Sequence, residues 1–175
     1  MFSTDQKFHK LKEKIIIVDF GSQVTKLIAR RIREYGVFCK IINCSNLKKD
    51  KIIKESFNGV IFSGGPSSVE KKNSPKAPGF IYELGLPILG ICYGLQLICK
   101  YFGGSVKSAE DREFGKNFIS LKKKSDLISG VYSFNKIYQV WMSHSDKVDL
   151  IPNGFVRIAE TEYCKSAIVE HKKKK

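Results

Sequence analysis

The segment Pro87-Ile-Leu-Gly-Ile-Cys92-Tyr-Gly-Leu-Gln-Leu-Ile98 constrains the fold more than any other part of the chain. A short apolar run breaks at Gly90-x-Cys92-x-Gly94, and the apolar spacing beyond it is helical. Strand, tight turn and helix in succession make the cysteine version of a nucleophile elbow. Glycines on both sides permit the sharp turn, and the turn lifts the sulfur above the sheet edge. The helix N-terminus then favours thiolate over thiol. A buried structural cysteine is the alternative fate of such a residue, but the flanking pattern selects Cys92 as the nucleophile.

The rest of the first two thirds alternates between strand and helix signals. Lys14-Ile-Ile-Ile-Val-Asp19 predicts a first buried strand. Val24, Leu27, Ile28, Ile32 and Tyr35 predict one face of a helix, with Arg30, Arg31 and Arg33 outside it and Gly36 ending it. Strands are predicted over 37–42, 59–63 and Pro87–Ile91. A lysine-rich helix or crossover is predicted over 46–55, a short helix over 80–85, and the elbow helix over 93–102. Beyond Gly103-Gly104 the pattern turns to short strands near 104–107, 116–121, 137–141, 154–159 and 166–169. This order predicts an α/β fold: a mostly parallel central sheet flanked by helices, with antiparallel strands added at one edge. It divides the chain into a charged arm at 1–14, one domain over 15–169 and a basic terminus at 170–175.

The formal net charge of +14 does not predict a nucleic-acid groove. Lysines outnumber arginines 26 to 5 and fall in scattered clusters. A groove combines a localised basic stripe with arginine and stacking aromatics, whereas Phe62, Tyr101, Phe102 and Trp141 sit in apolar patterns and are assigned to the core. Residues 1–14 carry no apolar stretch of the signal-peptide kind, and no apolar run has membrane-spanning length. Five cysteines without framework spacing fit a reducing, cytoplasmic setting. Cys39 and Cys44 match no zinc spacing, so no metal site is expected.

Attack by Cys92 on a carbonyl carbon creates an oxyanion that needs backbone N–H donors. The Tyr93 amide is one natural donor. The loop Ser63-Gly64-Gly65-Pro66-Ser67-Ser68 offers another, because it follows a strand whose end lies on the same side of the sheet as the elbow. Read alone that loop is only a turn, and it lacks the Gly-Lys-Ser/Thr of a phosphate loop. A thiol nucleophile also wants a histidine base. His9 and His171 lie in the charged termini. His144, in Trp141-Met-Ser-His-Ser-Asp-Lys147, follows a predicted strand and stands in a polar loop, open to roles as base, substrate contact or plain loop residue. Cys99 reads as core.

Five stretches together resemble the class I (triad-type) glutamine amidotransferases, in the branch formed by the glutaminase domains of GMP synthases. They are Ile16-Ile-Val-Asp-Phe-Gly-Ser-Gln23, Val60–Val69, Pro87–Gln96, Arg112-Glu-Phe-Gly115 and Val140–Val148. The resemblance implies a flavodoxin-like core and glutamine hydrolysis through a thioester at Cys92, with ammonia passed on to xanthosine monophosphate. It implies Gly65 and Tyr93 as oxyanion donors and Gln96 as a glutamine contact, with Ser143, His144 and Asp146 near that pocket or a domain interface. It implies no cofactor in this domain; ATP and Mg²⁺ belong to an ATP-pyrophosphatase partner domain, in cis or in trans. The family's base comes from a His-Pro-Glu element that this sequence lacks, since lysines follow His171. The synthetase half is absent as well. The expectation is therefore a shortened piece of a longer enzyme with little activity alone, the alternative being a non-catalytic module that binds glutamine or a partner.

Overall fold

The computed structural model describes residues 13–173, apart from the side chains of 109–112. Most of the predicted charged arm with His9, the Arg112 side chain, and Lys174 and Lys175 lie outside the described residues. The described chain forms two compact units that divide after Leu97.

The first unit is built on a four-stranded parallel sheet of order β2-β1-β3-β4. Its strands are β1 (Lys14–Asp19), β2 (Phe38–Asn43), β3 (Gly59–Phe62) and β4 (Ile88–Gly90). Helices α1 (Thr25–Glu34), α2 (Lys49–Glu55) and α3 (Phe80–Glu83) connect them, and α4 (Tyr93–Tyr101) follows β4. Alternation along the strands divides the side chains between two faces. On one face Ile15, Ile17, Cys39, Ile41 and Ile61 pack against Ile28, Ala29 and Ile32 of α1. Toward the other, Phe62 meets Phe20 and Tyr82 edge-on, and Phe20 in turn meets Tyr93 of α4.

The face of α1 differs from the expected one. Val24 and Leu27 are about half exposed and Tyr35 is 72% exposed, whereas Thr25 and Ala29 are buried. A small residue at the point of closest approach lets a helix lie near the sheet, and ranking positions by apolarity alone passes over it. Arg30 and Arg31 lie outside as expected and pair with Glu34, while Arg33 donates to the Cys39 carbonyl.

The second unit carries an antiparallel sheet of its own, order β6-β5-β7-β8. Its strands are β5 (Ser105–Leu121), β6 (Ile137–Leu150), β7 (Phe155–Glu160) and β8 (Ile168–His171). The α/β class and the parallel sheet are as the sequence predicts, but the antiparallel strands form a sheet of their own instead of additions at an edge of the parallel one, and β5 and β6 are far longer than the short strands expected there. They form one ribbon, with an irregularity between Ser108 and Glu113. Trp141 and Tyr101, assigned to the core by pattern, are exposed, Trp141 by 78%. Trp141 pairs with exposed Lys116 on the ribbon face that also carries Phe114 and Phe118. Its apolar neighbours in sequence, Val140 and Met142, point to the opposite, less exposed face. Among the described residues no helix is long and apolar enough to cross a membrane.

Burial pushes the Cys99 thiol up to about 12 and raises Cys44 and Cys164 as well. The folded state therefore holds these protons more tightly than the unfolded chain, whose thiols titrate near 9.0. The stabilisation from Cys99 is complete below that value and is lost as pH rises toward about 12. Urea midpoints are accordingly expected to fall through this alkaline range, and less steeply in Cys99→Ala. An unchanged slope in that variant would count against the thiol as the cause.

Candidate active site

The elbow is formed as the spacing predicts. Cys92 takes a left-handed backbone conformation, φ +49°. For a residue with a Cβ such a conformation costs on the order of 1–3 kcal/mol and persists only where the surroundings impose it. The surroundings here are tight. Ile91 N–H donates to the Phe62 carbonyl at 3.0 Å, Gly94 N–H to Ile91 at 2.9 Å, and Gln96 N–H to Cys92 at 3.1 Å. Gly94 lies so close to β3 that a Cβ there would be 2.5 Å from the Phe62 carbonyl oxygen. Of the five cysteines only Cys92 is exposed.

The glycine loop after β3 comes up beside the elbow. A Cβ on Gly64 would stand 3.8 Å from the Cys92 Cβ; one on Gly65 would be 2.9 Å from the Phe20 carbonyl and 3.3 Å from Tyr93 Cγ. Ser63 locks the start of this loop, accepting from Phe20 N–H at 3.1 Å and donating to the Gly64 carbonyl at 2.8 Å. Asp19 organises the loop after β1, since one carboxylate oxygen accepts from Gly21 N–H, Ser22 N–H and the Thr25 hydroxyl. The Tyr93 hydroxyl donates to the Pro75 carbonyl at 2.6 Å, tying the 70–79 loop to the elbow. Among the described residues no backbone carbonyl accepts the N–H of Gly65 or of Tyr93.

The electrostatics of Cys92 differ from the expected thiolate. Desolvation pushes its thiol up, and neither a charge nor a hydrogen bond among the described residues opposes that shift. At neutral pH this favours the protonated sulfur. Gln96 is buried one turn into α4. Cys92, Gly65, Tyr93 and Gln96 thus belong to the first unit.

Ser143, His144 and Asp146 belong to the second. His144 is not in a polar loop, as expected, but in the middle of β6, paired with Glu113 of β5. Its Nε2 lies 3.1 Å from Glu113 Oε2. Glu113 is 3% exposed and receives the Thr161 hydroxyl at 2.6 Å and the Asn117 amide at 2.5 Å. Sequence reasoning singles out Arg112-Glu-Phe-Gly115 as a motif but gives Glu113 no role. Its only signal is a carboxylate inside an alternating strand pattern. His171 packs edge-on against Phe155 at the end of β8, a structural placement.

Residues 16–175 match the family described as glutamine amidotransferase class-I. The chain is 48% identical over 162 residues to a GMP synthase [glutamine-hydrolyzing] of Agrobacterium fabrum, covering 93% of this chain and 31% of that protein. It is 42% identical over 169 residues to the GMP synthase [glutamine-hydrolyzing] of Cronobacter sakazakii, covering 94% of this chain and 32% of the other. The chain therefore spans about a third of the length of these relatives. A crystal structure from Thermoplasma acidophilum, described as that of a candidate GMP synthase subunit, superposes with a TM-score of 0.77 at 30% identity, over 93% of this chain and 79% of that one. With a cysteine elbow, a glycine loop beside it and a family match over almost its whole length, the chain belongs to the class I glutamine amidotransferases.

Proposed function

We propose that this chain is a glutaminase unit of the GMP synthase type, in which Cys92 is the nucleophile. The sulfur adds to the carboxamide carbon of glutamine, and the carbonyl oxygen becomes an oxyanion facing the N–H groups of Gly65 and Tyr93. Collapse breaks the C–N bond, the nitrogen leaving as ammonia with the proton that came off the thiol, and a thioester remains on Cys92; water then attacks it, releasing glutamate and returning a proton to sulfur. Gln96 contacts the substrate glutamine. The ammonia passes to an ATP-pyrophosphatase domain that aminates xanthosine monophosphate. ATP and Mg²⁺ act in that domain, and glutamine hydrolysis itself draws on no cofactor. A cytoplasmic setting goes with this reading.

The observation that carries the proposal is the strained, exposed Cys92 at φ +49° with the Gly64-Gly65 backbone beside it. Two backbone N–H groups that donate to no carbonyl among the described residues, one next to Cys92 in the chain and one in the glycine loop, suit a developing oxyanion, and each such donor contributes about 3 kcal/mol of barrier lowering in comparable sites. The raised thiol and its lack of a hydrogen-bonded base favour low activity in this chain by itself. They equally support a second reading, a glutamine-binding module without catalysis.

Ammonia release from glutamine, measured for this chain and for Cys92→Ala with and without an added synthetase domain, separates the two. Slow, Cys92-dependent release is expected, together with covalent capture of Cys92 by a glutamine-mimicking electrophile. Capture is expected to accelerate as pH rises into and beyond the ordinary thiol range, because the raised pKa holds the proton on at neutrality. A chain that binds glutamine yet leaves Cys92 unlabelled at every pH would support the binding module instead.

A further inference from the structure

Glu113, His144 and Cys164 meet inside the second unit from β5, β6 and the turn between β7 and β8. A carboxylate oxygen, an imidazole nitrogen and the thiol sulfur lie within 4.8 Å of one another. No spacing in the sequence announces this set, because its members come from widely separated segments that only the ribbon and the turn bring together.

The two carboxylate oxygens of buried Glu113 are used differently. Oε1 is held by Thr161 and Asn117. Oε2 accepts no hydrogen bond among the described residues, although His144 Nε2 is only 3.1 Å from it. Two such atoms close together without hydrogen-bond alignment are placed like neighbouring ligands of one ion. Around tetrahedral zinc a nitrogen and an oxygen ligand stand about 3.3 Å apart. His144 Nδ1 is likewise buried without a hydrogen-bond partner, so no such bond opposes rotation of the ring toward an ion.

A supporting layer is also in place. The Thr161 hydroxyl donates to Glu113 Oε1 and accepts the Cys164 N–H at 3.0 Å, and Thr161 N–H returns to the Cys164 carbonyl at 3.0 Å. One threonine therefore ties the thiol-bearing turn to the carboxylate, as outer-layer hydrogen bonds orient metal ligands elsewhere. Thiolate, imidazole and carboxylate together suit a borderline-soft dication better than Mg²⁺ or Ca²⁺, which prefer all-oxygen sites.

The geometry points to a binding site for a divalent metal ion of the zinc class, held by Cys164 Sγ, a ring nitrogen of His144 and Glu113 Oε2, with a fourth position open to water. Ligation releases the thiol proton to solvent. Burial, with the Glu113 charge, pushes that thiol up, and the field of a dication reverses the effect.

The test uses the whole chain carrying Cys92→Ala, so that the exposed thiol takes no part, with Co²⁺ as the spectroscopic probe. Equimolar Co²⁺ is expected to produce thiolate-to-cobalt charge-transfer absorption and the visible bands of a tetrahedral site, both displaced by Zn²⁺. Adding Cys164→Ser is expected to abolish the charge transfer. Adding His144→Gln, which keeps all the remaining thiols, is expected to weaken Co²⁺ binding at least about tenfold, with folding followed by circular dichroism. If Cys164→Ser fails to fold, the His144→Gln result decides. A folded parent without charge transfer, a band that survives Cys164→Ser, or Co²⁺ affinity unchanged in His144→Gln would each overturn the assignment. None of these readouts depends on glutamine hydrolysis.

Discussion

Gly94→Ala is expected to destabilise the chain by about 3 kcal/mol, the upper end of what overpacking a core costs. The added methyl would stand 2.5 Å from the Phe62 carbonyl oxygen, 2.6 Å from its Cβ and 2.8 Å from its carbonyl carbon. Those atoms cannot give way cheaply. Phe62 is fully buried, belongs to β3, and its carbonyl already accepts the Ile91 N–H at the base of the elbow. Alanine is the better helix former by about 1 kcal/mol, which is too little to offset displacement of a strand backbone. The first turn of α4 must lift away, and the elbow moves with it, so capture of Cys92 by the glutamine-mimicking electrophile should slow as well. Gly85→Ala is the control: its φ is +72° and nothing lies within 4 Å of the added methyl, so only the conformational cost of about 1 kcal/mol remains. Urea unfolding of the two variants beside the parent measures the difference, and equal losses would show that the close approach at Gly94 is relieved at no cost.

Glu113→Ala is expected to cost about 2–4 kcal/mol, because each buried donor left without its acceptor costs about 1–3 kcal/mol. Two donors lose their acceptor at once, the Thr161 hydroxyl and the Asn117 amide. Glu113 and Thr161 are both buried, so bulk water does not freely take the place of the carboxylate. The loss should spread along the ribbon, because Thr161 also holds the Cys164 turn and Asn117 sits on β5. Glu113→Gln, which keeps the shape and one acceptor oxygen, is expected to lose less. Paired denaturation curves decide this. If Glu113→Ala stayed within about 0.5 kcal/mol of the parent, as surface substitutions do, the network would have no structural weight.

The first unit was the more legible in sequence, for a local reason. Its strands are short β-branched runs bounded by glycine and charge, and a buried parallel strand is hydrophobic on both faces, so Ile15–Val18 and Val60–Phe62 stand out directly. Cys92 was equally legible, since the glycines that permit the turn are its near neighbours in the chain. The buried side of α1 was not. It depends on Thr25 and Ala29, whose burial comes from how closely the helix sits on β1 and β2 rather than from apolarity. The ribbon reads as short strands because lysines and asparagine interrupt its apolar positions, and pairing between β5 and β6 is what carries it through them.

The amino-acid order by itself determined the parallel sheet, the elbow and the place of Cys92 at its turn, because each rests on glycines and apolar residues within a few positions of one another. Tertiary structure alone decided the environment of Cys92, where desolvation by surrounding protein pushes the thiol up although the residue as a whole is exposed. It alone exposed Trp141 and moved His144 from an expected loop into a strand opposite a buried carboxylate. Burial and long-range pairing are properties of the assembled chain: Glu113, His144, Thr161 and Cys164 acquire their chemistry only once β5, β6 and the turn after β7 have closed around them.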